Sequence, residues 1–273
     1  MFSPAHPLWL VGFRPFFSLA CLAGLSLPIA WILIFKGILP APAHSFSAIQ
    51  WHAHEMFFGF GWAVLGGFLL TATKNWVGVR GYHGATLIFL AAAWLFERIG
   101  MSFGASWPGA LFLLSNNLFL LSIVVLLLNT LLRNRDKDSY RRDNVLFLII
   151  LPLFWIAKTL LLSPEHFHLG WSMTLGLFRV AFLVMFERTL TQFMRSAFSV
   201  DILRQPLLDT AIKALAALLV FGALLPGALA SGLELLLALL LLGRFVFWHP
   251  HKAFPRLDIG IMYLGYLAIA GQL

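Results

Sequence analysis

The chain of 273 residues is 60% hydrophobic and only 11% charged, whereas an ordinary soluble domain is about half apolar and about a quarter charged. Its net charge of +8 does not indicate nucleic-acid binding because the basic residues lie between apolar runs, and its single cysteine, Cys21, excludes an intrachain disulfide framework. Apolar runs of about 18 residues or more recur along the chain and indicate a polytopic membrane protein whose first partner is the lipid bilayer.

In chain order, apolar length and helix-breaking residues predict an all-α bundle of about nine transmembrane helices. The predicted spans are residues 15–36, 55–74, 84–104, 109–132, 144–163, 168–194, 206–225, 229–248 and 257–273. Proline and glycine mark most of the breaks between them. We therefore expect one integral membrane domain over residues 1–273. The last span stops at Gln272-Leu273 without a polar flank, which is the pattern of a chain that is incomplete at its C-terminus.

The distribution of lysine and arginine predicts the orientation, because cytoplasmic loops retain these residues. On the side of the N-terminus lie Arg14, Lys74, Arg80, Arg133, Arg135, Lys137, Arg141, Arg142, Arg195, Arg204, Arg244, Lys252 and Arg256. The other side has Lys36 and Arg98. We therefore expect a cytoplasmic N-terminus, with the second predicted helix beginning at the outer face.

Ionisable residues inside the apolar spans fall into two layers. Toward the outer side lie His52, His54, Glu55, Glu97, Arg98, Lys158, Glu234, His166 and His168, and toward the inner side lie Arg14, Glu187, Arg188 and Lys213, with Arg179 near the middle. Such residues normally face the bundle interior and have partners, so each layer is a candidate site. The alternative for Lys158, Lys213 and Glu234 is that they extend toward water from helix ends.

The segment Trp51 to Met56, W-H-A-H-E-M, opens the second predicted helix. Imidazole ligates haem iron, copper or zinc, and a thioether suits copper or haem. In a helix His52 and His54 would point about 200° apart, with His52, Glu55 and Met56 sharing a face; in extended backbone both histidines could chelate one metal. Glu55 would orient a ligating histidine or sit in the first helical turn. Histidines hydrogen-bonded to loop backbone are the alternative without a cofactor.

The same helix repeats small residues at every fourth position, in Gly59, Ala63 and Gly67, with Gly66 beside them. Small residues at this spacing let helix backbones approach closely. The pattern predicts a central position for this helix in the bundle. It leaves open whether copies of the chain form a homo-oligomer.

Two motifs resemble the NnrS family: W-H-A-H-E-M-F-F-G-F-G-W-A-V-L-G-G-F-L-L-T-A-T-K-N-W-V-G at Trp51 to Gly78, and G-F-R-P-F-F at Gly12 to Phe17. A weaker similarity is E-R-T-L-T-Q-F at Glu187 to Phe193. The resemblance implies a multi-pass protein of the bacterial inner membrane that contains haem and copper and is linked to denitrification and nitrosative stress. It implies His52, His54, Glu55 and Met56 as ligands or their supports, and Arg14 and Arg188 as buried cations facing a haem propionate.

The chain also departs from that family pattern. Lys74-Asn75-Trp76-Val77-Gly78 stands where Pro-Asn-Trp-Thr-Gly is usual, and Tyr263 stands where a histidine is expected. The resemblance implies about three further helices with more histidines beyond residue 273, so we expect the cofactor set within these residues to be incomplete.

Three functions follow as hypotheses. The first is a haem- or copper-binding protein that binds nitric oxide near the outer surface, with catalysis left open. The second is a secondary transporter whose path is lined by Glu97, Arg98, Lys158 and Arg179. The third is a membrane assembly factor without a cofactor, in which the polar groups only hold helices together.

Overall fold

The computed structural model describes residues 3–253 and 255–273, and over these residues the secondary structure is nine helices joined by turns and short 3₁₀ segments, with no strand. The helices are α1 (Phe13–Phe35), α2 (Ala48–Trp76), α3 (Ala85–Phe103), α4 (Gly109–Arg133), α5 (Arg141–Leu162), α6 (Phe167–Phe198), α7 (Pro206–Leu218), α8 (Gly227–Phe247) and α9 (Leu257–Gly271). The all-α prediction is confirmed.

Eight of the helical segments described are long and apolar enough to cross a membrane. The ninth, Leu257–Gly271, has 15 residues, which is fewer than the roughly 20 that a bilayer core requires. The chain is thus a multi-pass helical membrane protein.

The second helix starts earlier than the sequence analysis predicted, at Ala48 instead of residue 55. The reason is a capping box: the Ser47 hydroxyl accepts a hydrogen bond from the Gln50 backbone N–H (3.2 Å), and the Gln50 side chain accepts one from the Ser47 N–H (2.8 Å). These reciprocal bonds satisfy two backbone donors at the helix start. The segment W-H-A-H is therefore helical.

The helix α2 also changes geometry along its length. It is α-helical over Ala48–His54, π-helical over Glu55–Gly61 and α-helical again over Trp62–Trp76. A π-helical stretch inside an α-helix is rare and occurs frequently at functional sites.

The chain divides into two compact units, one within residues 1–170 and the other within residues 171–273. In the first unit, α2 contacts each of the helices α1, α3, α4 and α5, so its predicted central position is confirmed. In the second unit, α8 packs against α7 and α9. The apolar pattern of the sequence does not signal this division, and the prediction of one membrane domain stays a prediction.

Glycines allow the close approach of α2 to its neighbours. A Cβ at Gly67 would lie 2.7 Å from the Cβ of Phe16 in α1, and a Cβ at Gly66 would lie 2.6 Å from Ile123 in α4. At Gly67 the added Cβ would meet the Cβ of Phe16, which cannot move without its backbone, whereas at Gly66 it would meet only the terminal Cδ1 of Ile123, so the requirement for glycine is stricter at Gly67. The close packing fixes α2 between α1 and α4.

Candidate functional site

His54 lies in a fully buried ionic network within the first unit. Its Nδ1 is 3.2 Å from Glu55 Oε1, and its Nε2 is 3.3 Å from Glu97 Oε1 in α3. His54, Glu55 and Glu97 each have 0% exposure. Both ring nitrogens of His54 are therefore directed at carboxylates of two different helices.

Two cations complete this network. Arg98 places Nη1 3.3 Å from Glu55 Oε2 and Nη2 3.3 Å from Glu97 Oε1. Lys158, on α5, donates from Nζ to Glu97 and to the backbone carbonyl of Asn116. We call His54, Glu55, Glu97, Arg98, Asn116 and Lys158 the His54 network.

The formal charges of the His54 network balance, since two carboxylates face two cations. Burial of an isolated charge in a low-dielectric interior is costly, and the proximity of opposite charges offsets part of that cost. Because α2, α3, α4 and α5 each contribute a member, the network also joins four helices. The explanation that Lys158 reaches toward water is wrong, because its side chain is 1% exposed and bound to Glu97.

The π-helical segment of α2 lies against this network. A Cβ at Gly59 would lie 2.2 Å from Arg98 Nη1 and 3.2 Å from Glu55 Oε2, so the absence of a side chain makes room for the guanidinium. The carbonyl of Gly59 accepts a hydrogen bond from Trp94 Nε1 at 2.9 Å. The segment thus gives α3 both space and a backbone acceptor.

His52 lies apart from the His54 network. Its ring stacks on Trp31 of α1, with the ring centroids 4.3 Å apart and the planes at 11°. Its Nδ1 is buried and has no hydrogen-bond partner among the described residues. The helical backbone puts His52 and His54 on different sides of α2, so the extended arrangement in which both chelate one metal is not found.

The other predicted site residues take different positions. Met56 is half-buried, four residues after His52. Arg14 is exposed and donates from Nη1 to the Pro7 carbonyl at 2.8 Å, so its predicted burial is wrong. It is exposed because it lies in the first turn of α1, beside the preceding segment. Arg188, in α6 of the second unit, is buried as predicted.

Within the part of the chain that the structure describes, there is no group of three or more His, Cys, Asp or Glu side chains that could hold a metal ion. Asn116 was not anticipated by the sequence analysis, although its position in an apolar helix is a signal of a buried polar contact. Its Nδ2 lies 3.5 Å from His54 Nε2 and 3.1 Å from Met101 Sδ. The haem and copper assignments stay predictions.

The second unit contains a separate buried ionic cluster around Glu187. Its carboxylate lies 2.9 Å from Arg204, 3.3 Å from Lys213 and 3.6 Å from Arg244. Arg244 also pairs with Asp209 at 3.3 Å and donates from Nε to the Tyr266 hydroxyl at 3.1 Å. The inner polar layer is thus partly a paired structure, and Lys213 has an anionic partner.

The fold and the two buried clusters define a class of protein: a multi-pass helical membrane protein with ionic networks inside its helix packing. The sequence model of the family described as NnrS protein matches residues 7–273, which is essentially the whole chain. The chain therefore belongs to the NnrS family. Neither the curated proteins nor the solved structures include a match to this chain.

Proposed function

We propose that the protein is a haem- or copper-binding member of the NnrS family in a bacterial inner membrane, with a role in the nitric oxide response or denitrification. The observation that carries the proposal is the His52 ring, which is held by stacking on Trp31 and has a buried Nδ1 without a partner among the described residues. A buried polar atom without a partner is costly, so a ligand at this nitrogen would remove a penalty. Family membership supports only the general part of the proposal, that the protein is of the NnrS type.

The predicted residues do not all fit such a cofactor equally. His52 fits, and helix periodicity places Met56 near the same face of α2, where a thioether suits copper or haem iron. His54 does not fit as a ligand in this arrangement, because carboxylates lie within 3.3 Å of both ring nitrogens. Its geometry suits a positioning role beneath the site, together with Glu55.

Arg14 and Arg188 are the two cations that the sequence analysis predicts to face a haem propionate. Arg14 and the Trp31 that holds His52 are 17 positions apart in α1, which is about 25 Å along a helix. Arg14 is therefore too distant to bind a propionate of a haem ligated by His52. Arg188 lies in the second unit, and its predicted role at a propionate stays a prediction.

A bound haem iron or copper ion would supply an open coordination position for a diatomic ligand such as nitric oxide. The other roles that we propose belong to residues of the chain itself. Trp31 orients His52, and the His54 network fixes the first turns of α2 against α3 and α5.

Optical spectroscopy of the purified protein tests the proposal. We expect a Soret band, or copper detected by elemental analysis, that is lost in His52→Ala and kept in His168→Ala, whose side chain is exposed. His54→Ala should keep the signal in whatever fraction folds, since we assign His54 no bond to the cofactor. Folded wild-type protein that is colourless and free of metal would overturn the proposal.

A second candidate, a secondary transporter, is favoured by one specific observation. The π-helical segment Glu55–Gly61 interrupts α2 beside Glu97, Arg98 and Lys158, and transporter sites commonly lie at interrupted helices. The test is proton or sodium entry into vesicles containing the protein, measured with entrapped fluorescent indicators. Entry that Glu97→Gln abolishes would support transport, and no entry above that of empty vesicles would contradict it.

A further inference from the structure

A pocket at the end of the first unit where α2 ends and α3 begins has a strongly basic lining. It is a cavity of about 290 Å³ lined by Leu10, Lys74, Asn75, Arg80, Gly81 and His83, among others. The N-terminus of α1 lies at the same end. We call this cavity the basic pocket, and it is distant in sequence and in the fold from the His52 end of α2.

The loop that carries Val79, Arg80, Gly81 and His83 of the pocket lining is held by backbone features on either side of it. Gly78 and Gly84 have φ values of +65° and +58°, which glycine adopts without strain. The Gly84 N–H donates to the Trp9 carbonyl at 2.7 Å, joining the loop before α3 to the segment before α1. These contacts hold the loop that lines the pocket against the segment before α1.

The cations of the pocket lack anionic partners in the protein. No carboxylate lines the pocket, and among the described residues no hydrogen bond or ion pair involves the side chain of Lys74 or Arg80. Elsewhere in the chain, buried or half-buried cations such as Lys158 and Lys213 are paired with carboxylates. The basic pocket therefore carries two uncompensated positive charges.

Two of the side chains are also held in position. A Cβ at Gly81 would lie 2.6 Å from Lys74 Cδ, so the lysine stem packs directly on the glycine. His83 Nδ1 is 3.0 Å from the Gly81 carbonyl. Since a carbonyl only accepts, Nδ1 carries the proton, and in the tautomer protonated at Nδ1 the acceptor nitrogen is Nε2.

The surroundings of the pocket are apolar. Leu10, which lines it, is 49% exposed, and Phe13 nearby is 41% exposed. The pocket thus combines cations with an apolar edge at the end of the helices that the lysine and arginine distribution predicts to be cytoplasmic. Basic pockets between helices at this level bind the head groups of anionic lipids, whose acyl chains lie along the apolar edge.

We propose that the basic pocket binds a phosphate group, and that the phosphate is the head group of an anionic phospholipid. Lys74 and Arg80 pair with the phosphate oxygens, and His83 Nε2 accepts a hydrogen bond from a head-group hydroxyl such as that of phosphatidylglycerol. The proposal does not depend on a cofactor at His52.

The test reconstitutes the full chain into phosphatidylcholine vesicles containing a minor fraction of phosphatidylglycerol. After extraction into neutral detergent, the phosphatidylglycerol retained per protein is measured by native mass spectrometry. We expect about a fivefold loss for each cation removed, from roughly 1 kcal/mol per basic side chain near an anionic head group. Lys74→Gln with Arg80→Gln should thus lose most of the retained lipid.

The matched control is Arg133→Gln with Arg142→Gln, which removes the same charge from exposed positions on the same predicted side. It should retain lipid like the wild type, and Lys74→Arg with Arg80→Lys should retain most of it. Circular dichroism and gel filtration check folding. If the double variant does not fold, the single variants replace it.

A second arm separates the two sources of phosphate. Protein in phosphatidylcholine alone is melted with inorganic phosphate and with chloride at equal ionic strength. Selective lipid retention without a phosphate effect supports the head group. A phosphate effect that Lys74→Gln removes, without lipid retention, would overturn the lipid assignment, and equal behaviour of the pocket and control variants in both arms would overturn the site.

Discussion

Glu97 Oε1 lies 3.3 Å from His54 Nε2, and both side chains are fully buried although they belong to different helices of the first unit. The same carboxylate oxygen contacts Arg98 and Lys158. One buried carboxylate thus contacts the side chains of three residues, and its removal should affect more than a single contact.

Glu97→Gln should destabilise the protein by about 3–5 kcal/mol, because it leaves the buried Lys158 without its anionic partner. Thermal unfolding in detergent would measure the loss. The exposed Glu165→Gln serves as the control and should change little. Replacing both partners, Glu97→Leu with Lys158→Met, should cost less than either single replacement; a double variant as unstable as the sum would contradict the pairing.

Gly59→Ala should destabilise the protein by about 1–3 kcal/mol, because the new Cβ would lie 2.2 Å from Arg98 Nη1 and force the guanidinium out of the His54 network. Gly232→Ala is the matched control, since no atom lies within 4 Å of a Cβ there and alanine favours the helix interior. Equal melting temperatures of the two variants would show that Arg98 does not need the space above Gly59.

Arg244→Gln should cost about 3 kcal/mol of stability, because Arg244 is 2% exposed and its loss leaves Asp209 and the Tyr266 hydroxyl without this donor. Arg195→Gln removes a charge from a pair with Asp201 in which both side chains are more than three-quarters exposed. Such a surface pair contributes at most about 1 kcal/mol. In unfolding by increasing denaturant, Arg244→Gln should therefore have a far lower midpoint concentration than Arg195→Gln. Similar midpoints would contradict the burial of Arg244.

His44 should make stability depend on pH. It lies between α1 and α2, and burial against Phe46 and Phe112 lowers the pKa of its imidazole below the ordinary 6.5. The unfolded chain then binds a proton more readily than the folded chain. The contribution of the neutral His44 imidazole to the free energy of unfolding is therefore present in full above pH 6.5 and is lost as the pH falls below that value. Melting temperatures of the wild type and His44→Gln should converge at low pH; parallel curves would contradict the shift.

Much of the fold follows from local pattern. The length of the apolar runs predicted the helices, and the small residues of α2 predicted its central position. Each of these patterns can be recognised from the sequence of one helix alone. The prediction for the start of α2 was wrong, because the helix begins at the capping box formed by Ser47 and Gln50 and not at the polar residues that follow.

The candidate site was less predictable. Glu97 pairs with Lys158 of α5, and Arg98 contacts both Glu97 and Glu55 of α2. The choice of partner among residues 43 to 61 positions apart depends on how α2, α3 and α5 pack. Local spacing carries no information about that packing, nor about the stacking of His52 on Trp31.

The π-helical stretch Glu55–Gly61 sets the rotational phase between the two halves of α2. One residue in an α-helix turns the chain by about 100°, so deleting a single residue here would turn the histidine-bearing half by that angle relative to the half that carries Gly66 and Gly67. Either the buried carboxylates or the glycine contacts would then face the wrong neighbour. The number of residues in Glu55–Gly61 is therefore constrained as strictly as their identity. Insertions or deletions in this segment should be tolerated less than substitutions.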